Sequence, residues 1–268
     1  MPLDGMNYSA RQVSAARYIA PMREGGSLPA LVEDDAQTVW ITKFRGAAQG
    51  AAALVAEHIV AGLARALDLN IPHCAHIDVP RALSRTERDP DIKELLERSV
   101  GTNFALQYLE GAATFDPHAD RIDPTSASRI LWLDAFTSNV DRTWRNANLL
   151  SWHGDIWLID HGAAFFFHHG WKDKACAEVD RGAEFVKDHI LLREATQFDE
   201  ADAFCRARID AQLCMEVTAG LPEEWMPESL KANHDADSWR LWYANYLQER
   251  SLRAQTFCDD VRSAYRTL

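Results

Sequence analysis

Long apolar runs are missing from this 268-residue chain. No stretch approaches the roughly 20 consecutive apolar residues that a bilayer-crossing helix needs, so no helical membrane span is expected. Cysteine is scarce. Cys74, Cys176, Cys205, Cys214 and Cys258 are widely separated and form no C-x-x-C pair, which argues against both a disulfide scaffold and a zinc ribbon. Positive charge is also short: 28 Lys and Arg stand against 40 Asp and Glu, for a formal net charge of −12. Broad nucleic-acid binding draws on clustered basic side chains, so no nucleic-acid partner is expected. The segment from Met1 to Ala20 lacks the continuous apolar core of a secretory signal, and a cytoplasmic protein without a membrane partner is expected. P-loop, nucleophile-elbow and dinucleotide-binding signatures are all absent.

What is present is globular composition, 47% hydrophobic and 25% charged. Gly25-Gly26-Ser27-Leu28-Pro29 is a turn-rich stretch before the short apolar run Ala30-Leu31-Val32, and Glu33-Asp34-Asp35 reads as a hairpin turn. Thr38 to Phe44 alternates with β-branched residues, a strand whose one face carries Val39, Ile41 and Lys43. A lysine on a face that should bury is unusual. Ala47 to Leu67 reads as a helix bearing Glu57 among Leu54, Ile59 and Leu63. Ile77 to Val79 and Phe104 to Leu109 read as strands, and Arg81 to Arg98 between them as a charged, exposed insertion with a short helix from Asp91. The chain then turns helical from Ser126 to Phe136 and again beyond Lys172. The nine tryptophans read as core and groove packing rather than base stacking, given the acidic balance.

The most informative stretch runs from Asn139 to Asn148. It places Asp141 five residues before Asn146, and a hairpin, Leu149–Ser151 against Ile156–Ile159, then returns the chain to deliver Asp160-His161-Gly162. Asp160 should therefore end near Asn146 and Asp141. Two carboxylates and a carboxamide at a loop mouth provide hard oxygen ligands for Mg²⁺, with one carboxylate left to orient a hydroxyl nucleophile. Each residue alone could simply satisfy its own backbone; the three together, followed by Asp-x-Gly, point to a site. His153, His161, His168 and His169 match no H-E-x-x-H or Cys/His zinc spacing.

Asn139-x-Asp141-Arg142, Asn146 and Ile159-Asp160-His161-Gly162 resemble the catalytic loop and metal-binding segment of the protein-kinase-like superfamily, and are most similar to HipA-like and phosphatidylinositol kinases. Gly25-Gly26-Ser27, Lys43-Phe44-Arg45-Gly46 and the helix with Glu57 extend the resemblance to HipA-like kinases over roughly residues 20 to 170. The resemblance implies an α+β, two-lobed fold, with a small β-rich lobe over residues 1–107 and a larger, mainly helical lobe over 108–268. It implies ATP and Mg²⁺ as cofactors and transfer of a phosphoryl group to a hydroxyl, first a protein Ser or Thr. Lipid or small-molecule acceptors, and a silent nucleotide-binding scaffold, are its rivals. By the same resemblance Lys43 contacts the phosphates and pairs with Glu57, with Glu33 or Glu24 as alternative partners. Gly25, Gly26 and Ser27 form the loop over the phosphates, departing from G-x-G-x-x-G, and Ser27 is a candidate for silencing phosphorylation, although a turn serine is the simpler reading. Ile41 roofs the adenine, Gln107 and Leu109 lie in the hinge that meets it, Asp141 orients the acceptor, and Asn146 and Asp160 hold the metal.

Overall fold

The computed structural model describes residues 10–22, 28–170 and 178–268; Gly25, Gly26, Ser27, Glu24 and Cys176 lie outside them. The first half is organised around a five-stranded closed barrel in the order β1-β2-β3-β5-β4. Its strands are β1 (Arg11–Pro21), β2 (Ala30–Asp34), β3 (Val39–Lys43), β4 (Cys74–Val79) and β5 (Gly101–Gln107). The β2–β3 turn is fixed by Asp34, whose Oδ1 accepts the N–H groups of Ala36 and Thr38 and whose Oδ2 accepts the Trp40 indole N–H. Only the β1–β4 pairing is parallel, and it is this pairing that closes the barrel. Val13, Ala15, Ala30, Val32, Trp40, Ala75, Ile77 and Ala105 pack together as one core, joined by Leu83 and Leu96 from the insertion. That insertion, expected to be exposed, comprises a 3₁₀ turn (Arg81–Thr86) and α2 (Pro90–Arg98), and it seals the barrel with those two leucines.

Helix α1 (Gly50–Ala66) starts three residues later than its apolar periodicity suggests and is buried along most of its length. Its apolar residues share a second, larger core with Phe104, Leu106 and Cys74 of the barrel and with α3 (Pro124–Thr137). A small sheet in the order β6-β7-β8 follows, from β6 (Ala113–Thr114), β7 (Leu149–Trp152) and β8 (Asp155–Leu158). The remainder is α4 (Phe198–Arg208), α5 (Ala211–Ala219), the short α6 (Glu228–Lys231), α7 (Ala236–Leu252) and α8 (Gln255–Tyr265). Trp132 stacks on Phe136 with centroids 5.0 Å apart and meets Phe257 edge-on, and Trp40, Trp132, Trp225 and Trp239 are all buried. Cys74, Cys205, Cys214 and Cys258 are free and buried. Among the described residues no helix is long and apolar enough to cross a membrane.

One buried cation ties these parts together. The Arg250 guanidinium of α7 donates to the carbonyls of Ala135 and Phe136, at the C-terminal end of α3, and to those of Val179 and Arg181. Helix C-terminal carbonyls otherwise lack partners and carry the negative end of the helix dipole, so they accept a cation in place of a carboxylate. The catalytic-loop candidate begins directly after this anchored helix end.

Candidate active site

Lys43 closes β3, the last residue of the face it shares with Ile41. Ile41 lies opposite Leu106 and Lys43 opposite Phe104 in the β3–β5 register, while Trp40 and Thr42 are buried on the other face. The Lys43 ammonium donates to Glu57 Oε1 of α1 and, at 2.6 Å, to Asp160 Oδ1. Glu57 is therefore the lysine's partner; Glu33, the alternative, pairs instead with Arg17. Burial would strip the proton from Lys43, but the two carboxylates outweigh burial and raise its pKa. Burial also pushes Asp160 up; Lys43 more than reverses that and lowers it, so the carboxylate stays charged. Glu57, fully buried, is raised by burial and by Asp160 against the pull of Lys43. Its Oε1 also accepts the backbone N–H of His161 at 2.7 Å. One carboxylate oxygen thus fixes both the lysine and the Asp160-His161 segment.

The hairpin returns the chain as its spacing suggests. Leu149 pairs with Leu158, and the next rung is Ile159 N–H to the Asn148 carbonyl at 3.1 Å, which sets Asp160 beside the end of the Asn139–Asn148 loop. Asp141 is gripped there: Asn146 Nδ2 donates to its Oδ2 at 2.8 Å and Asn148 Nδ2 at 3.3 Å. Asn146 itself sits in a tight turn, exchanging backbone hydrogen bonds with Thr143. Ser138, Asn148 and Asp160 all adopt left-handed backbone, with φ of 54°, 49° and 55°. Such residues concentrate where a fold holds functional groups against local preference, and Asn and Asp tolerate the conformation best.

Behind the loop lies a buried network that motif spacing does not reveal. Asp134 of α3 accepts from Asn139 Nδ2 at 2.8 Å, Arg142 Nε at 2.5 Å and His189 Nε2 at 3.0 Å. Burial pushes the Asp134 carboxyl up, but the Arg142 charge and the His189 hydrogen bond outweigh it and hold it far below the usual range. Arg142 is 1% exposed; it also donates to the Asn148 carbonyl and lies 3.2 Å from His161 Nδ1. A guanidinium only donates, so Nδ1 accepts and the proton of neutral His161 sits on Nε2. Burial and Arg142 push that imidazole down to about 3. His161 Nε2 and Glu57 Oε2 are both buried without a hydrogen-bond partner, at residues bonded into the Lys43–Asp160 cluster. Orphaned polar atoms of this kind are unusual in a folded core and mark places where a ligand or water completes the site.

Gln107 donates its N–H to the His73 carbonyl, and Leu109 is buried just beyond β5. His168 is buried against Tyr243, 2.9 Å from its hydroxyl, and His153 is exposed at the β7–β8 turn. Among the described residues no three His, Cys, Asp or Glu side chains cluster as a metal cage. A cavity of about 1110 Å³ opens elsewhere, beside Arg45, Gln49, Glu224 and Trp225. None of Lys43, Asp141 or Asp160 lines it.

The sequence profile of the HipA-like kinases matches residues 16–254. The chain belongs to the HipA-like kinase family. The match reaches well past residue 170, so the helical C-terminal region of this HipA-like kinase is part of the family unit and not an appendage. A crystal structure of a Helicobacter pylori proinflammatory kinase, CtkA, resembles it with a TM-score of 0.55 and 10% identity, covering 96% of this chain and 98% of that one. At that identity the likeness shows a kinase-like mixed α/β fold. No curated protein sequence matches the chain.

The buried imidazoles give this HipA-like kinase a defined acid response. Burial depresses His58 to about 3 and His76 to about 4, and it lowers His161 and His189 as well. The unfolded chain takes up these protons near pH 6.5 while the folded chain does not, so stability falls as pH drops from about 6.5 towards 4. Glu57, raised by burial, works the other way by at most one proton. Each histidine contributes about 1.4 kcal/mol per pH unit inside that window. Urea unfolding at pH 7, 6 and 5 should show the loss, and the His58→Gln/His76→Gln double variant should reduce its slope, with His161 and His189 retaining the rest. A wild-type stability independent of pH over this range would contradict it.

Proposed function

We propose that this kinase transfers the γ-phosphoryl group of ATP, with Mg²⁺, to a hydroxyl of a protein Ser or Thr, in a cleft between a β-rich lobe (residues 1–107) and a mainly helical lobe (108–268). The observation that carries the reading is the buried Lys43–Glu57 pair meeting Asp160, beside an Asp141 held by two carboxamides. Lys43, kept protonated by its two carboxylates, binds the phosphates. Asp141 accepts the hydrogen bond of the acceptor hydroxyl and aims its oxygen at the γ-phosphorus; Asn146 and Asn148 keep that carboxylate from swinging away. Asp160, whose side chain is 42% exposed despite its pairing, and Asn146 supply hard oxygen atoms that would hold Mg²⁺. Bound there, Mg²⁺ neutralises the charge that spreads over the phosphoryl oxygens during transfer. Gln107 and Leu109 form the hinge at the adenine; Gly25, Gly26 and Ser27, outside the described residues, keep the phosphate-loop role only by family resemblance. A net charge of −12 favours a protein acceptor over the anionic surface of a membrane.

The nucleotide half of this reading has a geometric test. Ile41 lies two residues before Lys43 on the same face, roughly 6.6 Å along the strand, so it roofs the adenine if Lys43 reaches the phosphates. Ile41→Trp should fill that space and weaken adenosine and ATP alike, by about tenfold or more, since about 1.4 kcal/mol is a factor of ten. Thr42 faces the barrel core, its hydroxyl buried without a partner. Thr42→Val should leave both affinities unchanged and keep or raise stability. Unchanged adenosine binding by a well-folded Ile41→Trp protein would show that β3 does not roof the nucleotide.

A further inference from the structure

The proposed chemistry needs α1 to stay where Glu57 meets Lys43, and the segment from Val217 to Trp225 grips α1 and the barrel from behind. α5 packs on α1 at Gly62, where a Cβ would stand 2.9 Å from both γ-carbons of Val217. Gly220 makes a similar approach, since a Cβ there would come within 3.1 Å of the His58 ring. His58, next to Glu57 on α1, has Nε2 3.0 Å from the Val217 carbonyl. A carbonyl only accepts, so Nε2 carries the proton, and Nδ1 must accept from His76 Nε2 of β4 at 3.0 Å. His76 Nδ1 in turn accepts from Gln12 Nε2 of β1 at 2.9 Å. The chain of donors runs from β1 through β4 and α1 to the end of α5 with its direction fixed by a single carbonyl.

Trp225 completes the grip. Its ring meets both imidazoles edge-on, at 5.0 Å from His76 and 6.3 Å from His58, and its indole N–H donates to the Thr102 carbonyl of β5 at 2.9 Å. Beside it, Glu224 accepts the Thr102 N–H and hydroxyl, both at 3.2 Å, and pairs with Arg45, two residues beyond Lys43. One short segment therefore holds α1, β4, the start of β5 and the exit of β3.

We propose that Val217–Trp225 is a positioning strap, with Glu224 and Trp225 as positioning residues that keep α1 seated so that Glu57 holds Lys43 and the His161 N–H. The seated arrangement is built into the fold by these contacts. The functional consequence rests on the reading of Lys43 as the phosphate-binding lysine. Loosening the strap lets Glu57 withdraw, which costs Lys43 orientation most where phosphoryl charge develops, so turnover suffers more than nucleotide binding.

The test is steady-state ATP turnover together with hydrogen exchange of α1 amides in the 268-residue chain. Trp225→Ala should lower kcat about tenfold or more with a smaller change in KM, and the amides around Glu57 should exchange faster. Trp225→Phe keeps the ring edges on both histidines and should recover most of the rate. Glu224→Gln changes a side chain that is 47% exposed, so it folds, and it should fall between the two. A folded Trp225→Ala protein with wild-type kcat and unchanged α1 protection would overturn the strap. If the wild-type chain itself failed to turn over ATP, the nucleotide reading would fail, and the exchange data would still decide the strap.

Discussion

Replacing Asp160 with Asn should lower Mg²⁺-dependent ATP turnover by at least about two orders of magnitude, because in the proposed function the Asp160 carboxylate would hold Mg²⁺ and Asn lacks its charge. The substitution is otherwise gentle. Asn tolerates the left-handed backbone at this position as well as Asp does, and Lys43 keeps its bond to Glu57, so the chain should fold and still bind adenosine. His153→Ala is the matched control: His153 is the exposed residue at the β7–β8 turn, also with positive φ at 52°, and its loss should leave turnover unchanged. Coupled-assay rates for the two variants decide between a metal ligand at Asp160 and a structural carboxylate. Near wild-type turnover by Asp160→Asn would remove Asp160 from the metal site.

The second large effect is on stability. Asp134→Ala should destabilise the fold by about 3–5 kcal/mol, because it leaves the Arg142 guanidinium buried without its counter-charge. The lost carboxylate also releases Asn139 and His189, so the loop carrying Asp141 loses its inner anchor and turnover should fall in the protein that remains folded. Denaturant midpoints for Asp134→Ala, Arg142→Ala and the double variant form a cycle in which the double should be less damaging than the sum of the singles. A change below about 1 kcal/mol for Asp134→Ala would mean that water replaces the carboxylate without cost. The buried ion pair would then be an ornament.

These two positions differ in how readable they were. Asp160 announced itself through spacing: a hairpin of two short apolar runs brings its ends together, and the Ile159–Asn148 rung is that prediction realised. Lys43 stood out as a lysine on an apolar strand face, but its pairing with Glu57 came only from the family resemblance, with Glu33 and Glu24 left open until the fold brought Glu57 to it. Asp134 sits inside the apolar run Ile130-Leu131-Trp132-Leu133-Asp134-Ala135-Phe136, and a carboxylate there signals a buried cation without saying which one. Arg142, a neighbour of Asp141 in the motif, carried no role in the sequence, and it turns inward to Asp134.

Other features had no local signature. β1 alternates in burial from Gln12 to Ala16, with Val13 and Ala15 inward, but its inward residues are few and small among polar neighbours, and its parallel pairing with β4 depends on contacts some 60 residues away. Asn148 reads as one more polar loop residue until the left-handed turn aims its carboxamide at Asp141. The strap is the extreme case. Glycines at positions 62 and 220, two histidines and a tryptophan acquire meaning only when three distant segments are brought into contact.

The most direct test of the central claim is phosphoryl transfer itself: the purified chain is incubated with γ-labelled ATP, Mg²⁺ and a cell lysate, alongside the Asp160→Asn variant. A HipA-like kinase acting on protein hydroxyls should place acid-stable label on serine or threonine of a discrete protein band with wild-type enzyme, and none above background with the variant. Label appearing equally with both proteins, or ATP left unconsumed by the wild-type chain, would contradict it.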